Sequence, residues 1–299
     1  MALTGTVKKV SGSLRQTNLL VVLAIAGFAL CTFTPPVSAE TVEEGPLKRN
    51  DWTISVVPYL WAVALDGEIG VMNVEAEVDV RFSDLVSELN GVLMLDFLVH
   101  KGRFGFFVNP CYANLESETT QTLLEGTILQ RDIKLGATLK MFIMNFGVGY
   151  RLGPYPLGNQ EDGRTPAVIV EPYVGGRLTQ IDVELELVDR DRRFQGDTGW
   201  ADPMIGVMSV WNLYPRWNVT LGGNVGGFGV GSDVAWSVTG LGGYRFHFSN
   251  RIMGNVLFGY RALHQDFKSD SESQFKFDTT MHGPYVGVSI EFGQWPLIE

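Results

Sequence analysis

The sequence is short of cysteine, of positive charge and of long apolar runs. Two cysteines, Cys31 and Cys111, in 299 residues exclude a small fold stapled by several disulfides. Lys and Arg number 23 against 33 Asp and Glu, a formal charge of -10. With no basic stripe to meet phosphates, nucleic acid is excluded as a partner. Past residue 40 no apolar stretch approaches the ~18 residues of a membrane-spanning helix. Charge of either sign is scarce, at 19% where globular chains average about 25%. A 45% hydrophobic content and a mean hydropathy of +0.09 exclude disorder. Glycine is what the chain has in excess: its 35 residues stand well above the usual share of about 7%.

Residues 1–39 read as a secretory signal peptide. Lys8, Lys9 and Arg15 form a positive start without an acid, and the apolar core Leu19–Cys31 is too short to cross a bilayer. Val37-Ser38-Ala39 places a cleavage between Ala39 and Glu40. The remaining segment keeps one cysteine, Cys111, and so cannot close a disulfide on itself.

After residue 50 the dominant period is two. In 233–248, Val234, Trp236, Val238, Tyr244 and Phe246 share one face, and Ala235, Ser237, Thr239, Gly243, Arg245 and His247 the other. The same holds in 217–225, 251–263 and 281–292. One face is apolar and aromatic; the other is small or polar with isolated charges. A water-soluble sandwich would line its outside with charge. Here the apolar face suits lipid and the polar face suits a narrow, hydrogen-bonded lumen. Each run reaches the ~9–11 residues that cross a membrane at a tilt. Trp52, Trp61, Trp211, Tyr214, Trp217, Tyr244 and Tyr260 fall near run ends, as interfacial girdles do.

This predicts an all-β fold, a single transmembrane antiparallel barrel. Ten strands are expected, near 51–64, 91–101, 103–115, 127–152, 166–187, 199–213, 216–228, 233–248, 251–266 and 279–292. The alternatives are twelve, by dividing 127–152, or eight. Short turns alternate with longer polar loops near 116–126, 188–198 and 267–278, as periplasmic turns alternate with outer loops. Residues 67–80 carry Glu68, Glu75, Glu77 and Asp79, too acidic for lipid contact. With a short helix at 83–89 capped by Ser83, they are expected to fold over or into the outer mouth. The organisation is then a signal peptide (1–39), a periplasmic segment (40–50), the barrel (51–292) and a tail (293–299).

Five segments carry a family resemblance. They are Trp52…Pro58-Tyr59-Leu60-Trp61, Trp200-Ala201-Asp202-Pro203-Met204-Ile205-Gly206, Gly226-Gly227-Phe228-Gly229-Val230-Gly231-Ser232-Asp233, Gly259-Tyr260-Arg261 and Gly283-Pro284. Together they resemble a widespread family of uncharacterised bacterial outer-membrane β-barrel proteins. The likeness covers most of 50–292 and implies architecture and location in the bacterial outer membrane, not an activity. The last strand, ending on Phe292, is similar to the signal by which the barrel-insertion machinery reads its clients, with Gly293–Glu299 added after it.

Candidate chemistry is sparse. The Gly226–Asp233 run lacks the lysine and following helix of a phosphate loop. It reads as a tight connection whose glycines take positive φ, with Ser232 and Asp233 bonding the loop backbone. The polar face collects Asp96, Glu171, Arg177, Asp202, Arg245, Arg261 and Glu291. Isolated interior charges must pair, so these seven are expected to form a lumen charge network. Within it Asp202, Arg245, Arg261 and Glu291 should make a single cluster. Of the histidines, His100 and His247 fall near periplasmic turns, too far apart to form a site. His264 and His282 lie near the outer rim with Asp266, where an acid–base pair could serve a hydrolase. No catalytic residue, metal or cofactor is assigned. The expectation is a non-enzymatic barrel with a filled, salt-bridged lumen, in contact with outer-membrane lipid and lipopolysaccharide. The alternative is a narrow channel for small solutes, and a rim hydrolase comes third.

Overall fold

A computed structural model describes residues 51–71, 74–83, 88–123, 131–157, 166–187, 192–214, 216–249, 251–269 and 275–293. The signal peptide with its Ala39–Glu40 cleavage, the 40–50 segment and residues 294–299 lie outside the described residues.

Thirteen strands follow in order: β1 (Trp52–Trp61), β2 (Ala64–Val71), β3 (Val74–Val80), β4 (Leu89–Lys101), β5 (Phe104–Leu123), β6 (Arg131–Tyr150), β7 (Leu152–Pro156), β8 (Ala167–Leu187), β9 (Arg192–Asn212), β10 (Trp217–Gly227), β11 (Val234–Ser249), β12 (Ile252–Lys268) and β13 (Lys276–Phe292). Ten of them close a ring of antiparallel neighbours, β1-β4-β5-β6-β8-β9-β10-β11-β12-β13, with β13 returning to β1 from Ile54↔Phe292 to Trp61↔Tyr285. Closure leaves no edge inside the lipid, the condition for a sheet to span a bilayer. β6 is unbroken, pairing β5 along its whole length, so the ring has neither twelve strands nor eight.

Alternation sets the faces. Val234, Val238, Val256, Phe258, Val286 and Phe292 turn outward, while Ser237, Thr239, Asn255, Arg261, Ser289 and Glu291 are buried within. Trp52, Tyr214, Trp217 and Tyr260 are exposed in the outward belt. Trp61 does not join them. It is 1% exposed, and its indole N–H donates to the Gly283 carbonyl at 3.2 Å. Pro58 and Leu60 take the outward positions of β1, so parity turns Tyr59 and Trp61 into the lumen.

Three of the expected outer loops are instead strand over much of their length: β5 runs on to Leu123, β9 begins at Arg192, and β12 and β13 reach Lys268 and Lys276. Beyond the lipid the outward face meets water and turns polar, so the apolar alternation survives only on the inner face. There Ile181, Phe267, Phe275 and Phe277 are buried.

The ring therefore projects past the membrane as two sheets. The outer parts of β5, β6, β8 and β9 form one. β12, β13 and the hairpin β2–β3 form the other, joined where β13 pairs β2 from His282↔Ala64 to Lys276↔Gly70. Between them β10 stops at Gly227 and β11 starts at Val234. The two sheets enclose an apolar cluster that includes Leu115, Leu139 and Ile181 from the first and Leu65, Ile69 and Phe277 from the second. Trp200 stacks on Phe267 across the gap, centroids 4.1 Å apart and planes 6° from parallel. Residues 67–80 thus extend the outer end rather than cross the membrane. Of the short helix expected at 83–89, residues 84–87 lie outside the described residues, and Leu89 already belongs to β4.

Candidate functional site: the lumen

All seven lumen charges are buried, none more than 2% exposed. Direct cross-strand register lines up several of them. Asn109 faces Asn145, Asn145 faces Arg177 and Arg177 faces Asp202 across β5, β6, β8 and β9. Asp96 of β4 begins the row, its carboxylate accepting a bond from the Asn109 amide. Asn145 Nδ2 donates to Asn109 Oδ1 at 3.0 Å, and Arg177 Nε donates to Asn145 Oδ1 at 2.8 Å. An anion and a cation three strands apart are thus joined by two carboxamides, each donating on one side and accepting on the other. Arg177 Nη2 also donates to Asn224 Oδ1 at 3.2 Å, and Asn224 donates to the Tyr173 hydroxyl at 3.1 Å.

Arg261 lies against three rings, 4.8 Å from the centroid of Tyr285, 5.2 Å from Tyr59 and 5.7 Å from Trp61. Such a cage supplies a desolvated guanidinium with ring quadrupoles in place of water.

At the outer end Asp202 is held by Ser232, through the backbone N–H to Oδ1 at 2.6 Å and the hydroxyl to Oδ2 at 2.9 Å, with Gln265 Nε2 at 3.4 Å. The bonds to Asp202 thus come from the glycine-rich loop and from β12. Arg245 Nη2 donates to Asn212 Oδ1 at 2.6 Å, and Glu291 accepts from the Ser289 hydroxyl at 3.1 Å. The loop that brings Ser232 inward is the glycine-rich run. Gly227, Phe228 and Gly229 take φ of 87°, 52° and 73° in succession. Ser232 thus bonds the Asp202 side chain, while its carbonyl accepts from Gly229 N–H.

The periplasmic end holds a triad that sequence reading did not assemble. His100 Nε2 lies 3.3 Å from both oxygens of Glu171, Arg151 Nε donates to Glu171 Oε2 at 3.3 Å, and Arg151 Nη2 lies 3.0 Å from His100 Nδ1. The only signals were the inward parity of His100 and Glu171 at strand ends and a lone arginine in the adjoining turn. Room for the triad comes from Gly149 and Gly105: a Cβ on Gly149 would stand 2.4 Å from Glu171 Oε1, and one on Gly105 2.7 Å from the His100 ring.

The rim histidines do not converge. His282 Nε2 lies 2.6 Å from Asp66 Oδ2 and its Nδ1 2.6 Å from the Tyr260 hydroxyl. His264 Nδ1 lies 3.1 Å from Thr280, and Asp266 faces Lys268 at 3.3 Å. His247 stands apart on β11. Among the described residues no group of three or more His, Cys, Asp or Glu could hold a metal.

An apolar outward belt, a closed ring and a buried polar interior make this a bacterial outer-membrane β-barrel. No protein-family model matches the sequence, and no curated protein matches it. Among solved structures, outer-membrane protease OmpT of Escherichia coli is similar at 7% identity and TM-score 0.42, over 86% of this chain and 99% of that one. Ail, the attachment invasion locus protein of Yersinia pestis, is similar at 7% and 0.33, over 81% and 99%. A FadL homologue of Pseudomonas aeruginosa is similar at 8% and 0.29, over 81% and 90%. At these identities and TM-scores no activity transfers to this chain.

Proposed function

We propose that this chain is a non-enzymatic outer-membrane barrel whose filled lumen serves as a rigid support, and whose outer sheets form a surface for binding. The observation that carries the reading is the continuity of the filling. The His100–Arg151–Glu171 triad, the Asp96–Asn109–Asn145–Arg177 row, the Asp202–Ser232 clasp and the apolar cluster follow one another from the periplasmic end outward. A conducting pore needs a water-filled path, and an interior of buried charges held largely by neutral side chains, with packed side chains between them, supports the opposite. The two rim histidines belong to different groups, His282 with Asp66 and Tyr260 and His264 with Thr280 and Asp278, which does not support their acting together as one acid–base pair. The proposal includes kinship with the outer-membrane barrels that carry the Trp-Ala-Asp-Pro and glycine-rich segments. Its support is that the two segments are bonded to one another through Asp202 and Ser232. Planar-bilayer recording on the purified protein tests the reading: a silent membrane is expected, and reproducible unitary conductance steps would overturn it.

A further inference from the structure

Among the described residues the outer part of β9 is paired on one side only. β9 pairs β8 from Leu187↔Arg192 to Ala167↔Asn212, but β10 pairs it only from Gly226↔Met204 downward. Among the described residues no strand pairs the other side of 192–203. The positions beside it are those that β10 and β11 would fill had they not turned back at Gly227 and Val234. The floor of this gap is the glycine-rich loop, where a Cβ on Gly231 would stand 2.5 Å from the Ala201 carbonyl.

Exposed edges are ordinarily blunted by lysine, proline or a bulge. Between Gly196 and Trp200 this one has none of these. Gly196 has open space where a side chain would be, and the atoms nearest a Cβ on Gly199 belong to Thr179 and Gln180 of β8. Register on this edge is regular through Asp182↔Asp197, Ile181↔Thr198 and Thr179↔Trp200.

Charge selects the occupant. Asp182 and Asp197 are directly opposed on the outward face, both exposed, and like charges directly opposite repel. Asp233, where the floor loop rises into β11, already faces Lys268 at 3.6 Å, so the selection falls to the Asp182–Asp197 pair. A strand laid against β9 would place its own outward side chains beside this carboxylate pair, where lysine or arginine relieves the repulsion and a carboxylate adds to it.

We infer that the outer edge of β9 is a strand-addition site for an extended, cationic polypeptide segment of a partner at the cell surface. Ladder hydrogen bonds hold the segment, and Asp182 and Asp197 select its charge. The inference rests on the surface-binding part of the proposed function. It involves no conductance, so its failure would leave the filled lumen standing.

The test uses the full chain folded in detergent micelles and three labelled decapeptides followed by fluorescence anisotropy: alternating Lys-Val, alternating Glu-Val and alternating Lys-Pro. Lys-Val should bind. Glu-Val should not, and Lys-Pro, equally charged but with no N–H to donate at every second position, should bind at least about tenfold more weakly. D182N/D197N should weaken Lys-Val about tenfold. A bimane label at Gly196→Cys should respond to Lys-Val, while the same label at Gly91→Cys, also an open position, should not. Equal binding of Lys-Val and Lys-Pro, unchanged affinity in D182N/D197N, a response confined to the Gly91 label, or no binding of Lys-Val would each overturn the inference.

Discussion

Ser232 clasps Asp202 with both of its donors, the backbone N–H at 2.6 Å and the hydroxyl at 2.9 Å. The clasp joins a loop to a wall strand 30 residues earlier and seals a carboxylate that is 1% exposed. Ser232→Ala removes one donor from a buried anion, and the unfolding midpoint should fall by the equivalent of about 1–3 kcal/mol. Urea titration of the protein in lipid vesicles reads it. An unchanged midpoint would mean that water reaches Asp202.

Arg261 is fully buried in its cage of rings, whereas Arg216 is exposed and donates to the Tyr244 hydroxyl at 3.2 Å. Arg261→Ala removes a buried cation and leaves its cage of rings empty, and should cost about 3–5 kcal/mol. Arg216→Ala should cost about 0–1 kcal/mol. Equal shifts for the two variants would place Arg261 outside the lumen.

Gly149→Ala drives a methyl to within 2.4 Å of Glu171 Oε1, while Gly91→Ala meets nothing. The first should lose about 1–3 kcal/mol by overpacking and the second should be neutral, as compared by thermal midpoints. If Gly149→Ala is also neutral, the periplasmic triad has slack that its distances do not show.

Folded protein should run faster than boiled protein on SDS gels, because the closed ring offers detergent no edge. Trp200→Ala should keep that shift, since Trp200 packs above the lipid belt. Loss of its stack on Phe267 should still lower stability by about 3–5 kcal/mol. A variant that loses the shift altogether would make the Trp200 stack part of ring closure.

Lys276 donates to Glu68 at 2.8 Å and holds that carboxyl below its usual value. A carboxyl with a lowered folded value stabilises fully above its unfolded value, and this contribution fades as pH falls through the lowered one. Hydrogen-exchange protection of β2 and β3, corrected for intrinsic rates, should therefore hold from pH 7 to about pH 4.3 and decline as pH falls further. Glu68→Gln should flatten that part of the decline, and an identical profile in Glu68→Gln would assign it elsewhere.

Period-two alternation made the ten-strand ring and the inward parity of the charges readable in advance. Inside lipid each strand must be apolar on one side, and that is a pattern along one strand. Partners across the barrel were not readable, because register and shear, not spacing, bring Arg151 to His100 and Ser232 to Asp202. Trp61 was misplaced because an aromatic near a run end signals a girdle only if its parity is outward. The outer strands were read as loops because water replaces lipid there, and polar outward residues look like loop residues.

The pairing of β13 with β1 carries one more consequence. Ile54 meets Phe292, so the earliest strand of the ring waits for the last. β13 also grips the β2–β3 hairpin through its other half. A chain halted before Lys276 would have neither its seam nor its hairpin anchored, however well β4 to β12 had paired. Such long-range contacts come late and slowly, and assembly of this barrel then ends in a single closing step that no truncated chain can make.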